Sequence, residues 1–267
     1  MPAPTFIYGT AWKEAATEAC VARALAAGFR AIDTANQRKH YVEAAVGRAI
    51  ARAGIARDEL FVQTKFTFRD GQDDRLPYDP RAPIAAQVAQ SFASSLEHLG
   101  VARLDALLLH GPSRRDTLGP DDVAAWRAME ALLDGGGVAR IGVSNVSARQ
   151  VDDFAALAHV PLAFVQNRCY AERGWDRDVR AACARHGIAY QAFSLLTANR
   201  RVLAGEAVRA IAASHRATPA QIVFAFAGQL GMVPLTGTTS DAHLREDLAA
   251  AKIVLDAREL AALEHAA

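Results

Sequence analysis

A unit repeats eight times along this sequence: a short apolar run followed by an alanine-rich amphipathic segment. None of the runs alternates strictly with polar residues, which is typical of parallel strands buried on both faces. The predicted strands are residues 5–8, 30–32, 60–64, 104–109, 140–143, 162–165, 189–192 and 232–235. Eight strand–helix units in 267 residues predict a (β/α)8 TIM barrel.

Helical patterns fill the intervals between these runs. Ser147 and Thr218 are typical N-caps, and Gly28 and Gly100 follow helical segments as C-cap glycines do. The predicted helices are residues 13–27, 41–53, 82–99, 120–133, 147–157, 176–186, 202–214 and 218–230. A doubly wound open sheet shares this alternation, but its usual G-x-G-x-x-G fingerprint is absent. We therefore expect one barrel domain over residues 1–267, with the active site at the carboxyl ends of the strands.

The charge balance and the missing motifs narrow the range of partners. Lys and Arg total 30 against 29 Asp and Glu, so we expect no nucleic-acid partner. No apolar run reaches about 18 residues and no signal peptide precedes the first strand, so we expect a cytoplasmic protein without a membrane partner. The sequence holds three cysteines and no metal-binding motif, so no metal site is expected.

Three charged or polar residues end consecutive buried runs, and a tyrosine follows nearby. Because an unpaired buried charge is costly, Asp33 and Lys65 are predicted to face each other. They could form a simple structural ion pair, and His110 could be an ordinary core histidine. With Tyr41 the set also suits acid–base catalysis: a lysine near the phenol would lower its pKa from about 10. The histidine would orient or polarise a carbonyl oxygen.

These strand ends resemble the aldo-keto reductase superfamily over nearly the whole chain. The similar segments are GFRAIDTA with VEAAVGRAI, LFVQTKF, LDALLLHGP, IGVSN, FVQN, YQAFSLL and VPLTGTTSDAHLREDL. The resemblance implies reduction of an aldehyde or ketone, a small-molecule substrate, to an alcohol. The nicotinamide of NAD(P)H would deliver the hydride and a tyrosine the proton.

The resemblance also assigns residues. The catalytic set is Asp33, Tyr41, Lys65 and His110. The resemblance has His110 orient the substrate. We also expect substrate contacts from His40 and from Trp12 and Phe66, two aromatic residues that could line the pocket or equally belong to the core. The cofactor set is Thr10, Ala11, Asp33, Ser144, Asn145, Gln166, Phe193, Ser194, Leu196, Gly237, Thr238, Thr239, His243 and Asp247.

The chain departs from the family pattern in four places. In the family the tyrosine follows the aspartate more closely, at the position where this chain has Arg38. Counted back from Glu43, His40 rather than Tyr41 is in register with that tyrosine. We expect Tyr41 to be the proton donor. Gly237 and His243 occupy the places of a basic pair that binds the 2′-phosphate of the cofactor in the family. The resemblance implies NADP(H), and the missing basic pair leaves NAD(H) or dual use open. We also expect a short, compact member that lacks the N-terminal hairpin and the long C-terminal loop.

Residues 66–83 form the longest segment without a helical or strand pattern, and they fit either a substrate lid or a surface insertion. Two other functions remain open at this point. One is a nucleotide-binding sensor or partner-binding module on the same barrel, and the other is an unrelated barrel lyase or hydrolase. We expect a monomer or a weak homo-oligomer.

Overall fold

A computed structural model describes residues 3–266 and contains a closed barrel of eight parallel strands, each paired with the next and the last with the first. The strands are β1 Ile7–Gly9, β2 Ala31–Asp33, β3 Phe61–Phe66, β4 Ala106–Leu109, β5 Ile141–Ser144, β6 Phe164–Arg168, β7 Ala189–Phe193 and β8 Val233–Thr236. The predicted (β/α)8 barrel is confirmed, with strand boundaries that differ by at most three residues.

Helices surround the barrel and connect its strands. They are α1 Thr17–Ala27, α2 Glu43–Arg52, α3 Ile84–Leu99, α4 Pro120–Asp134, α5 Ala148–Leu157, α6 Arg177–Arg185, α7 Arg200–Leu203, α8 Glu206–Ser214, α9 Pro219–Gln229, α10 Asp241–Ala249 and α11 Ala257–Glu264. The helix predicted over residues 202–214 is two helices, because the extended backbone of Gly205 interrupts the pattern. No helix within residues 3–266 is both long and apolar enough to cross a membrane.

Side chains along each strand alternate between the inside and the outside of the barrel, which gives an inner core and an outer core. Inside the barrel, Phe61 packs edge to face on Phe164, with ring centroids 5.8 Å apart, among smaller apolar side chains. Along β3, Gln63 and Lys65 share the inward direction of Phe61, whereas Val62 and Phe66 belong to the outer core beneath the helices. The barrel interior is therefore apolar at one end and polar toward the carboxyl ends of the strands.

Candidate active site

Asp33 and Lys65 form a buried ion pair at the carboxyl ends of β2 and β3. Lys65 Nζ donates to both carboxylate oxygens at 2.6 Å and to the backbone oxygen of Thr34 at 2.9 Å. Burial lowers the pKa of Lys65, and the charge and hydrogen bonds of Asp33 oppose that shift. The two side chains face each other as the sequence predicted, because inward positions on neighbouring parallel strands lie side by side.

Tyr41 lies next to this pair, in the loop between β2 and α2. Its ring centroid is 5.6 Å from Lys65 Nζ and 6.0 Å from the ring of His110. Burial raises the pKa of Tyr41 above its usual value, and the charge of Asp33 raises it further. This direction is opposite to the expected lowering by Lys65, because Asp33 neutralises the lysine and burial disfavours the phenolate. Tyr41 is therefore a protonated phenol at neutral pH, the form that can donate a proton.

His110 is held on two sides. Thr67 Oγ1 lies 2.7 Å from His110 Nδ1, and Asn145 Nδ2 donates to the His110 backbone oxygen at 2.7 Å. Burial, followed by the charges of Lys65 and His40, lowers the pKa of His110 to about 3. The imidazole is thus neutral at physiological pH, with Nδ1 occupied by the threonine hydroxyl. Thr67 was not predicted from the sequence.

His40, the residue in register with the family's tyrosine, has a different environment from Tyr41. Its ring stacks on Trp12 with centroids 3.5 Å apart, and burial lowers its pKa. The indole of Trp12 is 69% exposed, and the residue has a left-handed φ of 61°. Trp12 and His40 therefore form an aromatic wall at the edge of the site, while Tyr41 is the ring beside Lys65.

A cavity of about 1010 Å³ extends from these side chains across the carboxyl ends of the strands. Asp33, Tyr41 and His110 line one end. The other predicted residues on its wall are Ala11, Trp12, His40, Ser144, Asn145, Gln166, Phe193, Ser194, Leu196, Gly237, Thr238, His243 and Asp247. The cavity continues past the predicted set, along α7 and the first turns of α9, to Arg200, Thr218 and Glu246.

Four predicted residues do not line this cavity. Phe66, expected to contact substrate, is 1% exposed and packs outward against Phe68 and Tyr78, because it alternates with the inward-facing Lys65. Thr10 is fully buried and donates through Oγ1 to the backbone of Asp33. Thr239 is exposed outside the cavity. Lys65 is also absent from the wall and reaches the site only through Asp33 and Tyr41.

Basic groups concentrate in the middle and far parts of the cavity. Lys13 Nζ donates to the Gly237 backbone oxygen at 2.5 Å, and burial lowers the pKa of Lys13. Within residues 3–266, neither Lys13 nor Arg200 has a carboxylate partner. Two cations without counterions on a cavity wall suit a ligand that carries phosphate groups.

Residues 66–83 do not form a lid over the cavity, since none of them lines it. The segment is instead bound to the loop after β2 and to itself. Gln37 Nε2 donates to the Gly71 oxygen at 2.6 Å, Gln72 Nε2 donates to the Asn36 oxygen at 2.8 Å, and Tyr78 donates to the Thr67 oxygen at 2.7 Å. The segment therefore supports Thr67, and through it His110, from behind.

The sequence prediction also missed a polar layer inside the barrel. Gln63 on β3 and Gln191 on β7 are both fully buried, and they are hydrogen-bonded to each other. A glutamine at an inward position of an otherwise apolar strand was the available signal, but no partner could be named before the strands were placed around the barrel.

A family model described as "Aldo/keto reductase family" matches residues 7–267. The chain is 34% identical over 252 residues to an aldo-keto reductase of Mycolicibacterium vanbaalenii, covering 94% of this chain and 83% of the relative. It is 31% identical over 270 residues to methylglyoxal reductase DkgB of Escherichia coli O157:H7, covering 98% and 92%. The crystal structure of an aldo/keto reductase from Brucella melitensis is similar, with a TM-score of 0.83, 26% identity, and coverage of 99% and 95%.

Proposed function

This chain belongs to the aldo/keto reductase family, and on that premise we propose that it reduces an aldehyde or ketone to an alcohol with NADPH, using Tyr41 as the proton donor. The observation that carries the proposal is the position of Tyr41, between the buried Lys65 and the neutral His110, at the end of a long cavity. Tyr41 is in its protonated form and lines the cavity, as a proton donor must, and Lys65 lies close enough to its ring to offset part of the negative charge of the phenolate that forms.

The residues on the cavity wall fit a nicotinamide dinucleotide. When bound, the nicotinamide supplies the hydride that goes to the carbonyl carbon. Ser144, Asn145 and Gln166 would hold the carboxamide, and Phe193 would pack on the ring. Lys13, Ser194, Leu196 and Arg200 would hold the pyrophosphate, with the backbone at Ala11 and Gly237 beside them. Thr238, His243 and Asp247 would hold the adenosine end.

The chain's own side chains divide the work on the carbonyl oxygen. When the Thr67 hydroxyl donates to His110 Nδ1, the ring proton is on Nε2, which would donate to that oxygen. Tyr41 then transfers its phenolic proton to the same oxygen. Lys65 stabilises the phenolate that remains, and Asp33 holds Lys65 within reach through two 2.6 Å contacts.

The substrate end of the cavity has an aromatic wall, a polar group and an open entrance. Trp12 and His40 form one wall, Gln37 adds a polar group, and the mostly exposed Trp12 leaves the entrance open. The similar protein from Escherichia coli is named a methylglyoxal reductase, so we place methylglyoxal first among the carbonyl compounds to be tested. NADPH is proposed over NADH because the His243 imidazole and the Thr238 hydroxyl, at the adenosine end of the cavity, are the groups that would donate hydrogen bonds to a 2′-phosphate.

The test begins with titrations of the protein with NADPH and with NADH, followed by a panel of aldehydes and ketones with the tighter cofactor. Tyr41→Phe is expected to lower turnover by about 100-fold or more, the usual worth of a general acid, and to leave the cofactor Kd unchanged. His40→Ala is the matched neighbour and should retain most of the turnover. Loss of turnover in His40→Ala but not in Tyr41→Phe would contradict the assignment. Tight cofactor binding with no reduction of any carbonyl compound would instead support a binding module.

A further inference from the structure

Three glutamines and one aspartate meet inside the barrel, immediately beneath the cavity. Asp33, Gln63, Gln166 and Gln191 come from β2, β3, β6 and β7, and each is at most 3% exposed. Of the glutamines, only Gln166 also lines the cavity. Gln63 and Gln191 therefore cannot act on a ligand directly, although they are hydrogen-bonded to residues that can.

The hydrogen bonds fix the orientation of each amide. Gln63 Nε2 donates to Asp33 Oδ1 at 2.6 Å and to Gln191 Oε1 at 2.9 Å. Gln166 Nε2 donates to the same two oxygens, at 3.0 and 2.9 Å. Gln191 Nε2 donates back to Gln63 Oε1 at 2.9 Å, which closes a reciprocal amide pair. Because carboxylate oxygens only accept, the nitrogen of Gln63 and of Gln166 must face Asp33.

One acceptor of this network has no donor within it. Both N–H groups of Gln166 are used, and the oxygens of Gln63 and Gln191 each accept at least one hydrogen bond. Gln166 Oε1 has no donor among residues 3–266, and its side chain lines the cavity. The network thus presents a hydrogen-bond acceptor to whatever occupies this part of the cavity. A rotated Gln166 would present its NH2 group instead.

We propose that Gln191, held by Gln63, is a positioning residue that keeps Gln166 oriented with its amide oxygen toward the carboxamide NH2 group of the nicotinamide. This inference rests on the proposed function, since it requires a nicotinamide cofactor in the cavity. Asp33 supplies one acceptor for the Gln166 amide, and Gln191 supplies the second. In the opposite orientation Gln166 Oε1 would face the two acceptors Asp33 Oδ1 and Gln191 Oε1, and both hydrogen bonds from Gln166 would be lost. Removing the Gln191 acceptor frees one N–H of Gln166 and lets the amide turn about its remaining hydrogen bond to Asp33.

The test compares two ligands that differ at the group Gln166 would recognise. NADP⁺ carries a carboxamide, whereas its 3-acetylpyridine analogue keeps the carbonyl oxygen but replaces the NH2 group with a methyl group. Wild-type protein is expected to bind NADP⁺ about tenfold more tightly, the typical worth of one hydrogen bond. In Gln191→Met the ratio of the two Kd values should fall to within about twofold, with the analogue's own Kd nearly unchanged.

Matched variants separate positioning from a general structural effect. Gln87→Met removes a glutamine that is also buried but lies on α3, where it bonds the Ala82 oxygen at 2.8 Å, and it should keep the wild-type ratio. Gln166→Met should lose the ratio as Gln191→Met does, and the double variant should lose no more. Gln63→Met, which removes the reciprocal partner, should reduce the ratio in the same direction.

Several outcomes would overturn the inference. They are a wild-type protein that binds both ligands equally, a Gln191→Met variant that keeps the wild-type ratio, and one that weakens both ligands alike. Wild-type binding needs no variant to fold, so the first of these is always accessible. Failure of the proposed function is recognised separately, because the wild-type protein would then either bind neither NADP⁺ nor NADPH or bind them and reduce no carbonyl compound.

Discussion

A single hydroxyl group is hydrogen-bonded to the ring of His110. Thr67 Oγ1 lies 2.7 Å from Nδ1, and the neutral imidazole has only one proton to place. We expect Thr67→Val to lower kcat/KM for a carbonyl substrate by about tenfold, because the hydroxyl that can donate to Nδ1 and so favour the proton on Nε2 is lost. Thr67→Ser keeps the hydroxyl and should stay close to wild type. Steady-state kinetics with the cofactor Kd measured in parallel distinguishes the two, and equal losses in both variants would contradict this role.

The same histidine makes stability depend on pH. Its pKa of about 3 in the folded protein lies below the unfolded value of about 6.5, so between these values only the unfolded chain gains the proton. The free energy of unfolding should therefore fall as the pH is lowered through this range. In His110→Gln this contribution is absent, and the variant should lose less stability than wild type between neutral pH and about pH 4. Urea unfolding at several pH values measures it; parallel pH dependences in the two proteins would show that His110 does not contribute.

Among single residues, the sequence predicted those whose role follows from their own chemistry, without knowledge of their neighbours in the fold. Asp33 and Lys65 end buried runs, and a charge in that position calls for a counterion. Thr67 and Gln191 could not be predicted in the same way, because a threonine or glutamine acquires a role only from the neighbour it meets in three dimensions. Phe66 is an aromatic residue that could line the pocket or belong to the core, and only its alternation with the inward-facing Lys65 places it in the outer core.

Among the elements, α2 and α3 pack closely because of one glycine. A Cβ on Gly47 would lie 2.3 Å from the His98 backbone oxygen and 2.9 Å from backbone atoms of Leu99. Backbone cannot yield as a side chain tip can, so Gly47→Ala is expected to lower the free energy of unfolding by about 3 kcal/mol. Gly228→Ala is the control within α9, where nothing lies within 4 Å; it should raise stability by about 0.5–1 kcal/mol. Chemical denaturation of both variants checks the opposite signs.

The helices and strands themselves were largely predictable, whereas the segment between β3 and α3 was not. Periodicity and capping residues such as Ser147, which forms a capping box with Gln150, depend on neighbours in the sequence. Residues 66–83 have no periodicity, and their conformation follows from contacts with the loop after β2. A lid and a support for Thr67 would both be segments without periodicity. Only the contact of Gln37 with Gly71 in the folded protein could separate the two interpretations.

Across the whole molecule, the parts that stabilise the fold can be separated from those that form the cavity. The last helix, α11, covers Trp175, which is fully buried and donates its indole N–H to the Leu263 oxygen at 3.0 Å. His215, the C-cap residue of α8, lies 2.9 Å from Glu259 on α11 and joins these two helices. No residue of α11 lines the cavity, so its packing should affect stability and leave ligand binding unchanged.

Leu263→Ala tests this separation directly. Leu263 is fully buried, and truncating it should lower the free energy of unfolding by about 3 kcal/mol, the usual cost of a leucine cavity. The NADPH Kd should stay within about twofold of wild type, because the variant removes no contact with the ligand. A twofold change in Kd corresponds to less free energy than one hydrogen bond contributes. Val254→Ala is the control, because Val254 is 76% exposed and its truncation should change stability by less than about 0.5 kcal/mol. A Leu263→Ala protein that is as stable as wild type, or that binds NADPH many times more weakly while still folded, would show that α11 and the cavity are coupled.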